Sequence, residues 1–123
     1  MILVSSCLIG IDSKYNGSSN KVSIIMRFCK TGLLIPSEIT GGTGADVLYG
    51  TARIISSNGT DVTGEYIKGA NEVLKYLNLY RISSAVLKEG SPSCGSNFIY
   101  DGTFKHKKMP GYGVAAALLK KYN

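Results

Sequence analysis

Residues 61–87, DVTGEYIKGANEVLKYLNLYRISSAVL, decide the fold of this chain of 123 residues. Asp61 is a favoured helix N-cap residue, and apolar side chains follow it at helical spacing. Ser84 to Leu87 then forms a short apolar run, so the segment predicts a helix that leads into a strand. The predicted apolar stripe of the helix comprises Tyr66, Ala70, Val73, Leu74 and Leu77, and the predicted solvent face comprises Glu65, Lys68, Glu72 and Lys75.

A second apolar run, Ile2 to Ser5, opens the sequence, and its apolar residues are continuous rather than alternating. This pattern is typical of a strand that is covered on both faces. We expect Ile2–Ser5 and Ser84–Leu87 to be parallel strands of one sheet, because strands joined through a helix favour a right-handed parallel crossover. The predicted fold class is α/β, with an open, mainly parallel sheet and helices on both faces in a Rossmann-like three-layer arrangement. Residues 1–123 are expected to form a single domain.

The remaining segments yield further local predictions. Glycines at 41, 42 and 44 predict a loop, and Asn58-Gly59 is a strong turn dipeptide. The other predicted elements are a helix from Asn20 to Gly32 with Val22, Ile25, Met26 and Cys29 on its buried face, a strand at Leu33–Ile35, extended structure from Val47 to Ile55, and a last helix from Gly113 to Lys121.

Composition limits the classes of partner. Lys and Arg total 14 against 8 acidic residues, a net charge of +6, with local clusters at 105–108 and 120–121. This excess predicts either a solvated basic face or an anionic partner such as a phosphate or RNA. No helical stretch has the density of basic residues expected of a DNA reader, and no segment approaches the roughly 18 to 20 apolar residues of a membrane span. Three cysteines, an odd number, favour a reducing cytoplasm over a secreted disulfide scaffold.

Two cysteines stand where predicted strands break into loops of small residues. Cys7 follows the first strand, and Cys94 lies in Ser91-Pro92-Ser93-Cys94-Gly95. Ligands of open α/β sheets bind beyond the carboxyl ends of the strands, so a cysteine-lined site is expected there. Three chemistries remain open: nucleophilic attack by Cys94 assisted by His106, disulfide cycling between Cys7 and Cys94, and a metal or iron–sulfur cluster shared by both thiolates.

A series of short motifs covers nearly the whole sequence. In chain order they are residues 6–10 (SCLIG), 14–17 (KYNG), 44–50 (GADVLYG), 61–63 (DVT), 67–70 (IKGA), 91–95 (SPSCG), 99–104 (IYDGTF) and 111–114 (GYGV). With these landmarks the chain resembles a widespread bacterial family whose characterised members are thiouracil desulfidases. The Ser-Pro-Ser-Cys-Gly and Tyr-Asp-Gly-Thr-Phe pieces are the most specific parts of the resemblance.

The resemblance implies a cytoplasmic enzyme that removes sulfur from a thiolated nucleobase or a related small thiocarbonyl compound. It implies a [4Fe–4S] cluster held by only three cysteines, whose open iron binds the substrate sulfur without net redox change. By the match, Cys7 and Cys94 would be cluster ligands, and Ser91 or Ser93 would orient substrate or water. Sulfur is a soft ligand, and binding it withdraws charge from the ring carbon that water attacks.

The sequence departs from the family pattern at one loop. Members usually carry a Cys-Pro-Glu segment after the second strand, whereas Ile35-Pro36 here runs directly into Ser37-Glu38. The expected third cluster cysteine and a catalytic glutamate are therefore absent from this sequence, as is the strand with which members tend to follow the last helix. Glu38 is the candidate replacement base if its loop folds over the crevice. Cys29 is a poor substitute ligand, because its predicted helix face would bury it away from the ligand-binding edge of the sheet, and Ser13 replaces a further cysteine of many members.

Two other functions compete with the desulfidase prediction. A module that keeps the fold and a nucleobase-sized crevice, without the cluster or turnover, would suit the missing Cys-Pro-Glu segment. A weaker alternative is interaction with tRNA through the lysines around Lys107, because thiolated bases also occur in tRNA.

Overall fold

A computed structural model describes residues 2–5, 24–26, 36–82, 84–86 and 89–122 of the chain. The described part contains seven strands and three helices. They are β1 (Ile2–Ser5), β2 (Ile24–Met26), β3 (Ser37–Thr40), α1 (Gly44–Tyr49), β4 (Arg53–Ser56), α2 (Thr63–Leu79), β5 (Ser84–Val86), β6 (Phe98–Tyr100), β7 (Lys108–Pro110) and α3 (Val114–Lys121). No helix in these ranges is long and apolar enough to cross a membrane.

Three strands form one parallel sheet, in the order β2, β1, β5. Leu3 is opposite Ile24 on one side and Ala85 on the other. The predicted parallel pairing of the first strand with Ser84–Val86 is therefore confirmed. The predicted helix from Asn20 to Gly32 is wrong at Ile24–Met26, which form β2. Three consecutive apolar residues are compatible with a buried strand and with the buried face of a helix. Pairing with β1 selects the strand.

The other four strands form two antiparallel pairs. β3 pairs with β4, with Ile39 opposite Ile54, and β6 pairs with β7, with Ile99 opposite Met109. The α/β class is thus confirmed, whereas the described strands are a mixture of parallel and antiparallel pairs rather than a mainly parallel sheet. The predicted strand at Leu33–Ile35 lies outside the described residues.

Residues 47–49 were predicted to be extended, but they lie in helix α1. The predicted glycine loop is also shorter than expected, because Gly44 is the first residue of this helix. The Asp46 carboxylate accepts hydrogen bonds from the Thr43 N–H at 2.8 Å and the Thr43 hydroxyl at 3.1 Å. Gly50 ends the helix with φ of 94°, a conformation that glycine adopts without strain. These local contacts outweigh the β propensity of Val47-Leu48-Tyr49. The strand at Arg53–Ser56 and the turn at Asn58-Gly59 agree with the prediction.

Helix α2 matches its prediction closely. The Asp61 carboxylate accepts hydrogen bonds from the Thr63 N–H at 2.9 Å and from the Thr63 hydroxyl at 2.6 Å. Val62 occupies the N-cap position, one residue later than predicted, and Asp61 instead binds the first helical residue. The buried face contains the predicted stripe, with Ala70, Val73 and Leu77 fully buried. This stripe and α3 enclose the core. Its buried members are Ile39, Val47, Ala52, Ile54, Val62, Ala70, Ile99, Val114, Ala115 and Leu118, joined by a second cluster of Val73, Leu77, Ile82 and Leu119.

Gly69 lies in the middle of α2, at a position where alanine should stabilise the helix. A Cβ at this position would have no heavy atom within 4 Å outside the helix itself and its neighbours. We expect Gly69→Ala to raise the free energy of unfolding by about 1 kcal/mol, because glycine is a poor residue for a helix interior. Thermal denaturation should show a midpoint about 4 °C higher. An unchanged or lower midpoint would contradict the open surroundings of Gly69.

The hydrogen bonds of Asp61 make part of the free energy of unfolding pH-dependent at acid pH. Hydrogen bonds from the Thr63 side chain and N–H, and then from Arg53, lower the pKa of Asp61 from 3.8 to about 2. The folded state therefore favours the carboxylate, so its contribution is complete above about pH 4 and is lost as the pH falls toward 2. We expect Asp61→Asn to be less stable than the parent at pH 7 and to approach it at pH 2. Urea denaturation across this range tests the convergence, and a gap that stays constant would contradict it.

Candidate active site

The candidate site is centred on the turn formed by Ser91–Gly95. The Ser91 hydroxyl oxygen accepts hydrogen bonds from the N–H groups of Ser93 and Cys94, both at 3.1 Å. The Gly95 N–H donates to the Ser91 carbonyl oxygen at 2.9 Å. Ser91 therefore closes the turn through both its side chain and its backbone, as serine commonly does in such turns. Its hydroxyl proton stays available for a further acceptor.

The N-terminus of α3 holds this turn from the other side. The Val114 N–H donates to the Pro92 carbonyl at 2.7 Å, and the Ala115 and Ala116 N–H groups donate to the Ser93 carbonyl at 2.9 and 3.1 Å. The Gly113 N–H donates to the Gly95 carbonyl at 2.8 Å. N–H groups that most helices leave to a capping side chain or solvent are thus used to fix the turn.

Glu89 stabilises the backbone directly after the turn. Its carboxylate accepts hydrogen bonds from the Ser96 N–H at 2.6 Å, the Asn97 N–H at 2.9 Å and the Asn97 side-chain amide at 2.5 Å. Desolvation acts to raise the pKa of Glu89, but the hydrogen bonds from Asn97 and Ser96 together lower it from its ordinary value. The carboxylate therefore stays charged, and the turn stays fastened, at neutral pH.

Two predicted site residues are brought together inside the turn. The Cys94 side chain is 1% exposed and that of Ser93 is 3% exposed. Within the described part of the chain, the Ser93 hydroxyl oxygen has no hydrogen-bond partner. A buried hydroxyl without a partner is costly, so such a group often marks a position that a ligand or water completes. The Ser93 hydroxyl is therefore the strongest sign of a ligand at this turn.

Glu38 lies on β3 and binds a different loop. Its Oε1 atom accepts hydrogen bonds from the Gly102 N–H at 3.0 Å and the Phe104 N–H at 3.1 Å. Phe104 and His106 have φ of 58° and 57°, a conformation that is uncommon for residues other than glycine. Glu38 thus holds a strained loop in place. No local sequence pattern predicts this contact, which joins residues more than 60 positions apart.

The basic cluster at 105–108 lies on this loop and on β7. The Lys108 Nζ atom is 4.6 Å from the centre of the Phe98 ring, a cation–π contact. The His106 ring meets the Tyr100 ring edge-on, with 6.4 Å between centres. The loop therefore presents positive charge beside aromatic rings. The predicted pairing of His106 with Cys94 stays a prediction.

Cys7 and Cys29 lie outside the described residues. Among the residues that the structure covers, no group of three His, Cys, Asp or Glu side chains could hold a metal ion. Ser5 and Met26 are paired at the ends of β1 and β2, and in the sequence Cys7 and Cys29 follow them by two and three positions.

Comparisons with known proteins identify the family of this chain. The family model of 2-thiouracil desulfurase matches residues 2–123, and the chain belongs to this family. The uncharacterized protein YbbK of Bacillus subtilis (strain 168) is 48% identical over 136 residues, which cover 98% of this chain and 90% of YbbK. The solved structure of the [4Fe–4S]-dependent thiouracil desulfidase TudS is similar with a TM-score of 0.74 and 32% identity, over 98% of this chain and 85% of that chain.

The alignment with YbbK is longer than this chain, so YbbK contains positions that this chain lacks.

Proposed function

We propose that this protein is a desulfidase that cleaves the carbon–sulfur bond of thiouracil or a similar small thiocarbonyl compound by hydrolysis. The observation that carries the proposal is the buried Cys94 beside the unpartnered hydroxyl of Ser93, in a turn fixed from three sides. Membership of the 2-thiouracil desulfurase family and the similarity to TudS support it.

The chemistry of the donors fits an iron–sulfur cluster. A cysteine thiolate is the ordinary ligand of such clusters, and the sequence contains three cysteines, enough for a cluster with one open iron. When bound, a [4Fe–4S] cluster would supply a Lewis acid that binds the substrate sulfur and draws electrons from the adjacent carbon. Cys7 and Cys94 are the ligands that the family motifs support.

Cys29 is our candidate for the third ligand. The predicted helix that would bury its side chain is wrong at Ile24–Met26, and Cys29 itself lies outside the described residues. Cys29 follows the carboxyl end of β2 as Cys7 follows that of β1, and these two strands are parallel neighbours. A change of Cys29 to Ser that left the iron content intact would exclude it as a ligand.

The side chains of the turn have distinct proposed roles. Ser93 offers a buried hydroxyl that can donate to or accept from the substrate or the attacking water. Ser91 already accepts two N–H groups, so it acts mainly by shaping the turn, with its proton left for a substrate oxygen or sulfur. Glu38 remains our candidate base. In that role its other carboxylate oxygen, Oε2, would accept the proton, because Oε1 already accepts hydrogen bonds from the Gly102 and Phe104 N–H groups.

The direct test is anaerobic reconstitution of the full chain with iron and sulfide. We expect a brown protein with a thiolate-to-iron absorption band that releases sulfide and uracil from thiouracil. Replacement of Ser93 by Ala should lower turnover about 10²-fold while the iron content is kept, because general acid–base and orienting groups contribute about that much. Colourless, inactive protein after reconstitution would refute the proposal.

The shortened connection before Ser37 favours a second candidate function, a binding module of the same fold without the cluster or turnover. Calorimetry with thiouracil and uracil separates the two functions. Binding without any product supports the module, whereas sulfide release supports the desulfidase.

Three broader expectations belong with the proposal: a cytoplasmic location, a complete sheet of Rossmann-like type and tRNA as a secondary partner. Only the tRNA expectation has a specific surface, the basic and aromatic loop at 104–108. Binding of tRNA through phosphates must weaken as salt rises. An affinity that stays flat between low and high salt would exclude phosphate contacts as its basis.

A further inference from the structure

Gly113 lies where the turn meets α3, and it is close to the turn's backbone. A Cβ at this position would be 2.5 Å from the Ser93 carbonyl carbon, 2.6 Å from its oxygen and 2.8 Å from the Cys94 nitrogen. These are backbone atoms, which cannot move aside as a flexible side chain can. Gly113 has φ of −67° and ψ of 169°, values open to any residue. The need for glycine therefore arises from close approach and not from backbone conformation.

A second close approach supports Gly113 from behind. A Cβ at Gly44, the first residue of α1, would collide with the carbonyl group of Gly113 and lie 2.6 Å from the Tyr112 oxygen. The Gly44 N–H donates to that Tyr112 oxygen at 2.7 Å. Helix α1 thus fixes residues 112–113, and these residues fix the turn that contains Cys94.

We infer that Gly113 is a positioning residue for the proposed desulfidase site. Without a side chain at 113, the α3 N-terminus reaches the carbonyls of Pro92 and Ser93 and holds Ser93 and Cys94 in their buried positions. A methyl group there must push the turn away from α3, breaking these hydrogen bonds and exposing the Cys94 thiol. The purpose of this positioning rests on the proposed function, whereas the contact itself does not.

The test measures alkylation of each cysteine in the full chain, without metal, by iodoacetamide and peptide mass spectrometry. In Gly113→Ala we expect labelling of Cys94 to accelerate about tenfold or more. A variant that is only less stable would raise Cys94 labelling no further than its loss of unfolding free energy, measured by urea denaturation, predicts. Labelling of Cys94 beyond that level therefore separates positioning from loss of stability.

Two glycine variants serve as matched controls. A Cβ at Gly69 or Gly59 would have nothing within 4 Å, and Gly59 has φ of 86°. Gly69→Ala should raise no labelling rate, because it is expected to stabilise the helix. Gly59→Ala strains the backbone of the turn after β4, and it should raise Cys94 labelling only as far as its measured loss of stability predicts. A larger rise at Cys94 in Gly59→Ala, or equal Cys94 labelling in folded Gly113→Ala and the parent, would overturn the inference.

If Gly113→Ala does not fold, hydrogen exchange of the parent chain decides. The amides of Cys94, Val114 and Ala115 should then exchange as one cooperative unit. Exchange of Val114 and Ala115 well ahead of Cys94 would overturn the inference. Reconstitution is a separate readout: Gly113→Ala should hold less iron and show a weaker thiolate-to-iron band than Gly69→Ala. A parent chain that binds no iron would refute the proposed function, and the alkylation result would still decide the role of Gly113.

Discussion

Replacement of Cys94 by Ser is expected to lower desulfidase activity at least about 100-fold and to lower the iron content with it. Loss of a residue that merely supports a metal ligand costs 10 to 100-fold, so loss of a ligand should cost at least as much. Cys94 is 1% exposed and is fixed by hydrogen bonds on both sides of the turn, so a neighbouring side chain cannot readily replace it. Sulfide release and iron per chain, measured after anaerobic reconstitution, are the two readouts.

Two further variants make this result specific. Cys94→Ala removes the sulfur without adding another hydroxyl to the turn, and it should lose iron and activity to the same extent. Ser57→Ala changes an exposed side chain in the turn after β4 and should behave as the parent does. A folded Cys94→Ser protein with normal iron and normal turnover would show that the cluster is held elsewhere.

Ile54→Ala is expected to lower the free energy of unfolding by about 2 to 5 kcal/mol, the usual cost of truncating a large buried aliphatic side chain. Ile54 is fully buried on β4, opposite Ile39. Its N–H donates to the Thr63 hydroxyl oxygen at 2.9 Å, and its carbonyl accepts the Val62 N–H at 2.9 Å. The residue therefore joins the strand to the start of α2 as well as filling the core. Urea denaturation followed by circular dichroism gives the change directly.

Graded controls show whether packing is the cause. Ile54→Val should cost about 0.5 to 1.5 kcal/mol, because it removes one methylene. Leu79→Ala removes a similar amount of apolar side chain from a position that is 64% exposed, and it should change stability by less than about 0.5 kcal/mol. Equal effects of Ile54→Ala and Leu79→Ala would contradict the location of the core.

The sequence was informative where a local pattern and a tertiary requirement coincide. Helix α2 has an apolar stripe, and the Asp61 carboxylate binds its first residue, so its position could be predicted from residues 61–77 alone. The Cys94 turn was recognisable because serine, proline and glycine favour turns and because an apolar strand precedes it. The parallel pairing of β1 with β5 followed from the intervening helix.

The sequence misled where two patterns compete. Ile24-Ile25-Met26 fits both a helix face and a buried strand, and only the partner β1 decides. Val47-Leu48-Tyr49 has strand propensity, but the Thr43–Asp46 contacts begin a helix before it. Contacts between distant residues had no local signal at all. Glu38 meets Gly102, and Gly113 meets Ser93, only after the elements that carry them have packed.

The attachment of the turn to α3 also orders events during synthesis. Residues 91–95 leave the ribosome before residues 113–116, whose N–H groups hold them. Until that later helix has emerged and docked, nothing holds the turn on that side. A nascent chain stalled before residue 113 would therefore present Cys94 to solvent and to oxidants.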